Sequence, residues 1–369
     1  MGSAACYHLA KRGVSVLGLD QFDVPHSRGS HHGHSRMIRQ AYYEHPDYVP
    51  LLRRAYQLWD SVQEEWGNDR FFYRTGGLYI GSEDGSIVPG SLRSAKEHDL
   101  EHEIMSPSQI QDRFPRFKPA ENHIGFFENE AGFLVPEKAV TAHARLAERH
   151  GAIINTNEPI NDWESDGNRI EITTSQGTYS ADHLVISSGA WSAELLKNVN
   201  LDLEVTRQIL AWFEPKVDLE QLAPENFPCW FVETDTPFGH YGFPMLPGDP
   251  GLKIAIHKPG SAINPEEKDL DDNQPTDEEI RSLREVLDTY FPESVGALRE
   301  SRVCLYTNSP DSHFVIDSHP TDSNVTVACG FSGHGFKFAS VVGEALADLA
   351  TKGKSELPIE FLGMGRFDS

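Results

Sequence analysis

Apolar and polar positions along this chain switch repeatedly between a period near 3.6 and a period of two, which predicts helices and strands in alternation. Residues 3–10 (SAACYHLA) read as a helix of small residues ended by Gly13. Val14 to Asp20 (VSVLGLD) then read as a short apolar strand closing on an acid. A polar, glycine-rich loop follows from His26 to His34. Val49, Leu52, Ala55 and Trp59 recur at helical spacing and predict a helix from Tyr48 through Trp66. Residues 70–135 break into short strands, turns and helical pieces, among them Gly76 to Ile80. A second helix runs over 137–150 and stops at Gly151. Beyond it lie Ile153-Ile154, a hairpin of Ile170–Thr174 with Thr178–Ser180 around Gln176-Gly177, and the apolar strand His183–Ser187. Residues 201–305 are strand-rich, with a helix near 277–290. The end of the chain gives a strand Val325–Ala328, the turn GFSGHGFK and a helix Phe338–Ala350. No internal repeat or low-complexity linker interrupts this order.

A helix followed by a strand ending on an acid is the second half of a βαβ unit of the dinucleotide-binding kind. The hairpin and strand after residue 153 fit an FAD-binding domain on the Rossmann plan. The expected fold is therefore α/β (α+β overall), with an interleaved antiparallel-sheet substrate domain. Its cofactor segments are placed at 1–60, 137–200 and 301–369, and its substrate segments at 61–136 and 201–300. A chain of 369 residues suits two domains better than one core.

Charge narrows the partners. Asp and Glu outnumber Lys and Arg 56 to 32, a formal charge of −24, which excludes nucleic acid and anionic membrane, since both demand a basic footprint. Asp269, Asp271, Asp272, Glu278 and Glu279 read as solvated faces. No apolar run reaches the roughly 20 residues of a membrane helix. Cys6, Cys229, Cys304 and Cys329 form no CxxC pair or disulfide-like framework, which predicts a reducing, cytoplasmic setting.

Cofactor signals are individually weak. Gly2 stands where the last glycine of a pyrophosphate-binding turn belongs, and Asp20 lies at the distance of a ribose-binding acid. The preceding strand and two glycines precede Met1 in that pattern, so the chain is expected to be a shortened version of a longer protein that binds FAD poorly. The stretch Leu184 to Trp191, with Gly189 and Trp191, resembles a flavin-contacting strand of the D-amino-acid-oxidase-like superfamily. The C-terminal VTVACGFSGHGFKF resembles that superfamily's flavin-facing turn, where Gly333 and Gly335 admit close backbone approach beside His334. Taken alone, Gly2 with Asp20 reads better as a helix start and a strand-end acid, and the G-H-G turn as a helix N-terminal loop.

Three further segments carry a more specific resemblance: GSHHGHSRMIRQAY (Gly29–Tyr42), YGFP with Lys253 and His257 downstream, and RVCLYTNSPDSHFVIDSHP (Arg302–Pro320). Together with GFSGHGFKF they are similar to the monomeric sarcosine oxidase and N-methyltryptophan oxidase family over essentially the whole chain. The resemblance implies FAD held covalently through Cys304, with Gly2, Asp20, His32, Ser35, Ile160, Gly189, Trp191, Gly333, His334 and Gly335 at the cofactor. It implies a substrate carboxylate between Arg39 and Lys337, with Tyr241 beside them. Lys253 is implied as the cation promoting reaction with oxygen, and Arg36, His257 and Tyr306 as the other catalytic positions. The implied reaction takes an N-methyl amino acid, O2 and water to the demethylated amine, formaldehyde and hydrogen peroxide, in a monomeric enzyme.

Departures from the family pattern are His34-Ser35 for an Asp-Thr pair, a bulky Phe231 beside the pocket, and His240 for a Tyr. Three other readings stand beside this one. A flavin dehydrogenase passes electrons to another acceptor, a metal protein uses His31, His32 and His34, and an inactive relic carries no flavin.

Overall fold

The computed structural model describes residues 1–196, 199–234, 238–265 and 274–367. Asp269, Asp271 and Asp272 lie outside the described residues.

The helix predicted from Tyr48 to Trp66 has those bounds. Val49, Leu52, Ala55 and Trp59 are fully buried, and Gly67 (φ +64°) closes it in the left-handed conformation that glycine adopts without a Cβ penalty. Asp277–Tyr290 also matches its predicted span. Thr276 and Glu279 form a reciprocal capping box at its start. Pro136–Arg149 and Gly2–Lys11 follow the expected helices closely. The last helix begins at Ala339, after a 3-10 turn at Phe336–Phe338. Its Gly343 lets Gly2–Lys11 approach, since a Cβ there would lie 2.6 Å from Ala4.

Short parallel strands make the cofactor layer. Leu17–Leu19, shorter than the predicted Val14–Asp20, pairs with Ile153–Asn155. Leu184–Ile186 pairs in parallel with Val325–Cys329, which also pairs antiparallel with Val315–Ser318. Ile160–Ser165, Ile170–Thr174 and Thr178–Ala181 form the expected meander. A small three-stranded sheet joins Arg36–Ile38 and Phe72–Arg74 to either edge of Gly132–Leu134.

The second layer is an eight-stranded sheet in the order Val295–Asn308, Glu204–Pro215, Leu252–His257, Gly239–Gly242, Cys229–Glu233, Gly77–Gly81, Ile124–Glu128, Glu103–Met105. Successive side chains of a strand point to opposite faces, so register assigns each residue a side. One face carries Leu78, Ile80, Phe127, Ile209, Ala211, Phe213, Trp230, Val232 and Ile254, packed with Leu283, Leu287 and Tyr290 of the helix Asp277–Tyr290. The other face carries Lys253 opposite Trp212, Tyr306 opposite Thr206, Cys304 opposite Gln208, and Tyr241 opposite Phe231. That second face looks toward the cofactor layer.

Two expected boundaries fall within single elements. Position 60 falls inside the helix Tyr48–Trp66, and position 301 falls inside the strand Val295–Asn308. The strand stays with the large sheet because it pairs with Glu204–Pro215 along nearly its whole length. Cys304 and Tyr306 therefore reach the cofactor side from the large sheet.

Candidate active site

A cavity of about 1050 Å³ runs between the layers, just above the roughly 300–1,000 Å³ usual for small-ligand sites. Gly2, Asp20, Ile160, Gly189, Trp191, Gly333 and Gly335 line it, as do Arg36 and Tyr306. These residues fit FAD. The N-terminus of helix Gly2–Lys11 opens into the cavity with no side-chain cap, leaving N–H groups for a pyrophosphate. A Cβ on Gly2 would sit 3.0 Å from Ser187 Oγ, and one on Gly333 (φ +79°) would sit 2.2 Å from the Tyr306 ring. Burial raises the Asp20 carboxyl to about 6, and ribose hydroxyl donors would relieve that cost. A second hollow, bordered by Asp202, Glu204 and Asn264, is open and reaches none of these groups.

His32, Ser35, Cys304 and His334 do not line the cavity. Cys304 is 2% exposed and sits behind Arg36, whose NH2 lies 3.4 Å from its Sγ. His32 is buried with neither ring nitrogen hydrogen-bonded among the described residues. Burial, then Arg36, holds it neutral, down to about 3. The His334 ring turns away from the cavity, with Nδ1 2.5 Å from Tyr42 Oη and Nε2 3.0 Å from the Ser312 carbonyl. Of the 333–335 turn, Gly333 and Gly335 line the cavity. Ser35 faces Lys253.

Lys253 is in the middle of the sheet, between Glu204–Pro215 and Gly239–Gly242, and not at an edge. It is 3% exposed. Its Nζ donates to the carbonyls of Gly33 (2.6 Å) and Ser35 (2.8 Å) and to Ser35 Oγ (3.2 Å). Burial, then Arg36, pushes its pKa well down.

Arg39 and Lys337 meet at one aromatic ring. The Arg39 guanidinium lies 4.2 Å and the Lys337 ammonium 5.2 Å from the Tyr42 centroid. Both are buried. Burial, then Arg39, lowers Lys337 to about 7. Beside them, His257 Nδ1 lies 3.3 Å from Tyr306 Oη, Tyr306 is hydrogen-bonded to Tyr241, and Tyr241 stacks on Phe231 at 6.2 Å. Burial keeps His257 neutral, down to about 4. Tyr306 thus links the cavity to this aromatic pocket.

Glu44 escaped the sequence reading. Its two oxygens each accept from Arg39 NH2 at 2.7 Å, and although desolvation opposes it, Arg39 holds the carboxyl at about 2. Only the acid five residues after Arg39 hinted at this. Glu128 also escaped it; its carboxylate accepts from the Gln40 and Ala41 N–H groups and so fixes the Arg39 segment.

The Lys337 value carries a pH prediction. A carboxylate held at Lys337 would bind the ammonium form, so its affinity is expected to be full below about 7 and to decline above it. The Kd of acetate, read from flavin absorbance, is expected to rise by up to about ten-fold per pH unit above that point. A flat profile in the parent, or the same slope in Lys337→Met, contradicts it.

The three loop histidines diverge. His31 packs on His26 (4.4 Å) and His34 on Trp212 (5.6 Å), and among the described residues no group of three His, Cys, Asp or Glu converges for a metal.

A family model described as FAD dependent oxidoreductase matches residues 1–349. The chain is 41% identical over 361 residues to a monomeric sarcosine oxidase of Streptomyces avermitilis, covering 97% of this chain and 93% of that one. It is 36% identical over 353 residues to an N-methyl-L-tryptophan oxidase of Salmonella agona, covering 95% and 92%. The solved structure of NikD, described as an unusual amino acid oxidase essential for nikkomycin biosynthesis, aligns with a TM-score of 0.83 over 98% of this chain and 94% of that one. At 21% identity it bears on the fold alone. Likeness of this extent, over nearly the full length, shows that the chain belongs to the FAD-dependent oxidoreductases, in the branch of the monomeric sarcosine and N-methyl-L-tryptophan oxidases, and is a flavin-dependent amine oxidase.

Proposed function

We propose that the enzyme oxidises the N-methyl C–N bond of a small N-methyl amino acid. Sarcosine, O2 and water would give glycine, formaldehyde and hydrogen peroxide. The observation that carries this reading is the pairing of Arg39 and Lys337 over the Tyr42 ring, beside the aromatic pocket that Tyr306 joins to the cavity. Bound FAD supplies the two-electron acceptor. Arg39 and Lys337 hold the substrate carboxylate by charge-assisted hydrogen bonds and so orient the amine. Arg36, Arg39, Lys253 and Lys337 disfavour a further cation in this buried space, and neutral His257 adds none. The substrate amine is thereby pressed toward its uncharged form, whose lone pair the oxidation requires. Lys253 stabilises the negative charge that develops on oxygen, which supports an oxidase over a dehydrogenase. Absorption spectra before and after anaerobic addition of sarcosine test the reading; bleaching of the flavin band supports it, and an unchanged spectrum refutes it.

Covalent attachment at Cys304 belongs to the same proposal, supported by the Arg36 contact. Denatured parent protein is expected to keep flavin fluorescence on a gel, and Cys304→Ser to lose it. A labelled Ser variant rules Cys304 out, and a label that follows Cys329 moves the attachment there. All four cysteines are free, in keeping with a reducing cytoplasm. No helix among the described residues is long and apolar enough to cross a membrane. A monomer is the proposed state.

Substrate size is set by Phe231. Its ring lies 5.7 Å from Tyr43, and a Cβ on Gly239 would collide with it at 1.8 Å, so it has little room to withdraw. Sarcosine or another small secondary amine is expected to outrun N-methyltryptophan in kcat/KM. The reverse order overturns this expectation.

A further inference from the structure

Gly33, His34 and Ser35 form a tight three-residue turn in which the Ser35 N–H donates to the Gly33 carbonyl at 2.8 Å. Gly33 (φ +95°) and His34 (φ +67°) are consecutive left-handed residues. Such a turn is strained and persists only where its surroundings enforce it. A Cβ on Gly33 would lie 2.6 Å from Leu210 Cδ1, so the position requires glycine twice over.

The surroundings carry opposite charges on two sides. The N–H groups of Gly33 and His34 converge on Oε1 of Glu137 at 2.6 and 3.2 Å, as successive N–H groups of a nest converge on an anion. The carbonyls of Gly33 and Ser35 converge on Lys253 Nζ. The peptides of the turn are therefore aligned between a carboxylate and an ammonium, and their dipoles stabilise both. Glu137 stands in the first turn of Pro136–Arg149, where the helix dipole favours an acid. That accounts for an acid at 137 but not for its aim at this turn. Its Oε2 is buried and meets no hydrogen-bond partner among the described residues.

We propose that Glu137 is a positioning residue for Lys253, fixing the ammonium's place through the Gly33–Ser35 turn and facing it with an opposite charge across that turn. Its consequence for turnover rests on the reading of Lys253 as the cation that serves oxygen. The titratable groups facing Lys253 include Arg36, Glu137, Cys304 and Asp249, with His32 and Cys229 also acted on by its charge, and the rings of Trp212 and Phe243 lie at 5.5 and 4.9 Å. Burial and then Arg36 drive the proton off, and Glu137 is the foremost group opposing them.

The test uses holoenzyme labelled with 13C at the lysine ε carbon, the Lys253 signal being assigned by its absence in Lys253→Met. Glu137→Gln is near-isosteric, retains an acceptor for the turn and removes the charge. The Lys253 titration midpoint is expected to fall by about one pH unit in Glu137→Gln and to return in Glu137→Asp. Reoxidation of the reduced enzyme should drop about ten-fold at pH values above the parent midpoint, the fold-change of one unit, and match the parent at low pH. An unchanged midpoint in Glu137→Gln overturns the proposal. A midpoint that moves without any change in reoxidation supports the role of Glu137 and removes the oxygen role of Lys253.

Discussion

Replacing Lys253 with Met is expected to slow reaction of the reduced enzyme with oxygen by about 10²–10³-fold, the usual cost of removing one preorganised group that faces developing charge. Anaerobic reduction by substrate should change far less, because the substrate carboxylate is proposed to sit at Arg39 and Lys337. The magnitude follows from the setting. Lys253 is almost fully buried and held by three oxygens, so its charge acts at low dielectric and needs no reorganisation as charge develops nearby. Met preserves length and apolar bulk against Trp212 and Phe243, and the variant mainly removes charge. Stopped-flow measurement of the two half-reactions separates the effects. Equal losses in both would end this division of labour.

Removing the carboxylate anchors should act on the other half-reaction. Arg39→Ala and Lys337→Met each delete a charged hydrogen bond worth about 1.5–3 kcal/mol, roughly 10–150-fold in substrate affinity. The double variant should fall short of the product of the two, since groups sharing the Tyr42 ring are coupled. Glu44 shapes the outcome. Its carboxylate engages Arg39 in a bidentate pair at 2.7 Å, so an incoming carboxylate meets a resident one. Glu44→Gln is expected to tighten binding of a simple carboxylate by removing this like charge. Weaker binding in that variant would instead make Glu44 the support that orients Arg39. Arg39 and Lys337 variants that retain parent KM for sarcosine would displace the proposed anchor altogether.

Sequence periodicity alone determined the long helices. The apolar positions of Tyr48–Trp66 and the capping residues of Asp277–Tyr290 are local signals, and local signals fix helix bounds. The hairpin around Gly177 was legible for the same reason. Motif resemblance supplied the family and the named site residues, because residue types at fixed spacing survive in sequence even where their contacts are unseen. Strand pairing was not legible. The segment 301–308 read as part of the cofactor domain, yet Cys304 and Tyr306 stand on the large sheet, since only pairing with Glu204–Pro215 decides where that strand lies. Register then put Lys253, Cys304, Tyr306 and Tyr241 on one face, a fact set by partners more than 40 residues away in most cases.

His334 shows the same limit at one side chain. Its glycine neighbours line the cavity, but the ring turns to Tyr42 and Ser312 because those partners exist only in the folded chain. Glu44 and Glu137 were invisible as site residues for a related reason. An acid carries no sign of its target in sequence, and each of these two acquires a role only when folding brings it against Arg39 or against the turn that holds Lys253. The sequence determined which chemistry-bearing residues the chain owns and which helices it forms. The tertiary structure decided which of them share a buried space, because burial and pairing set both their geometry and their charge.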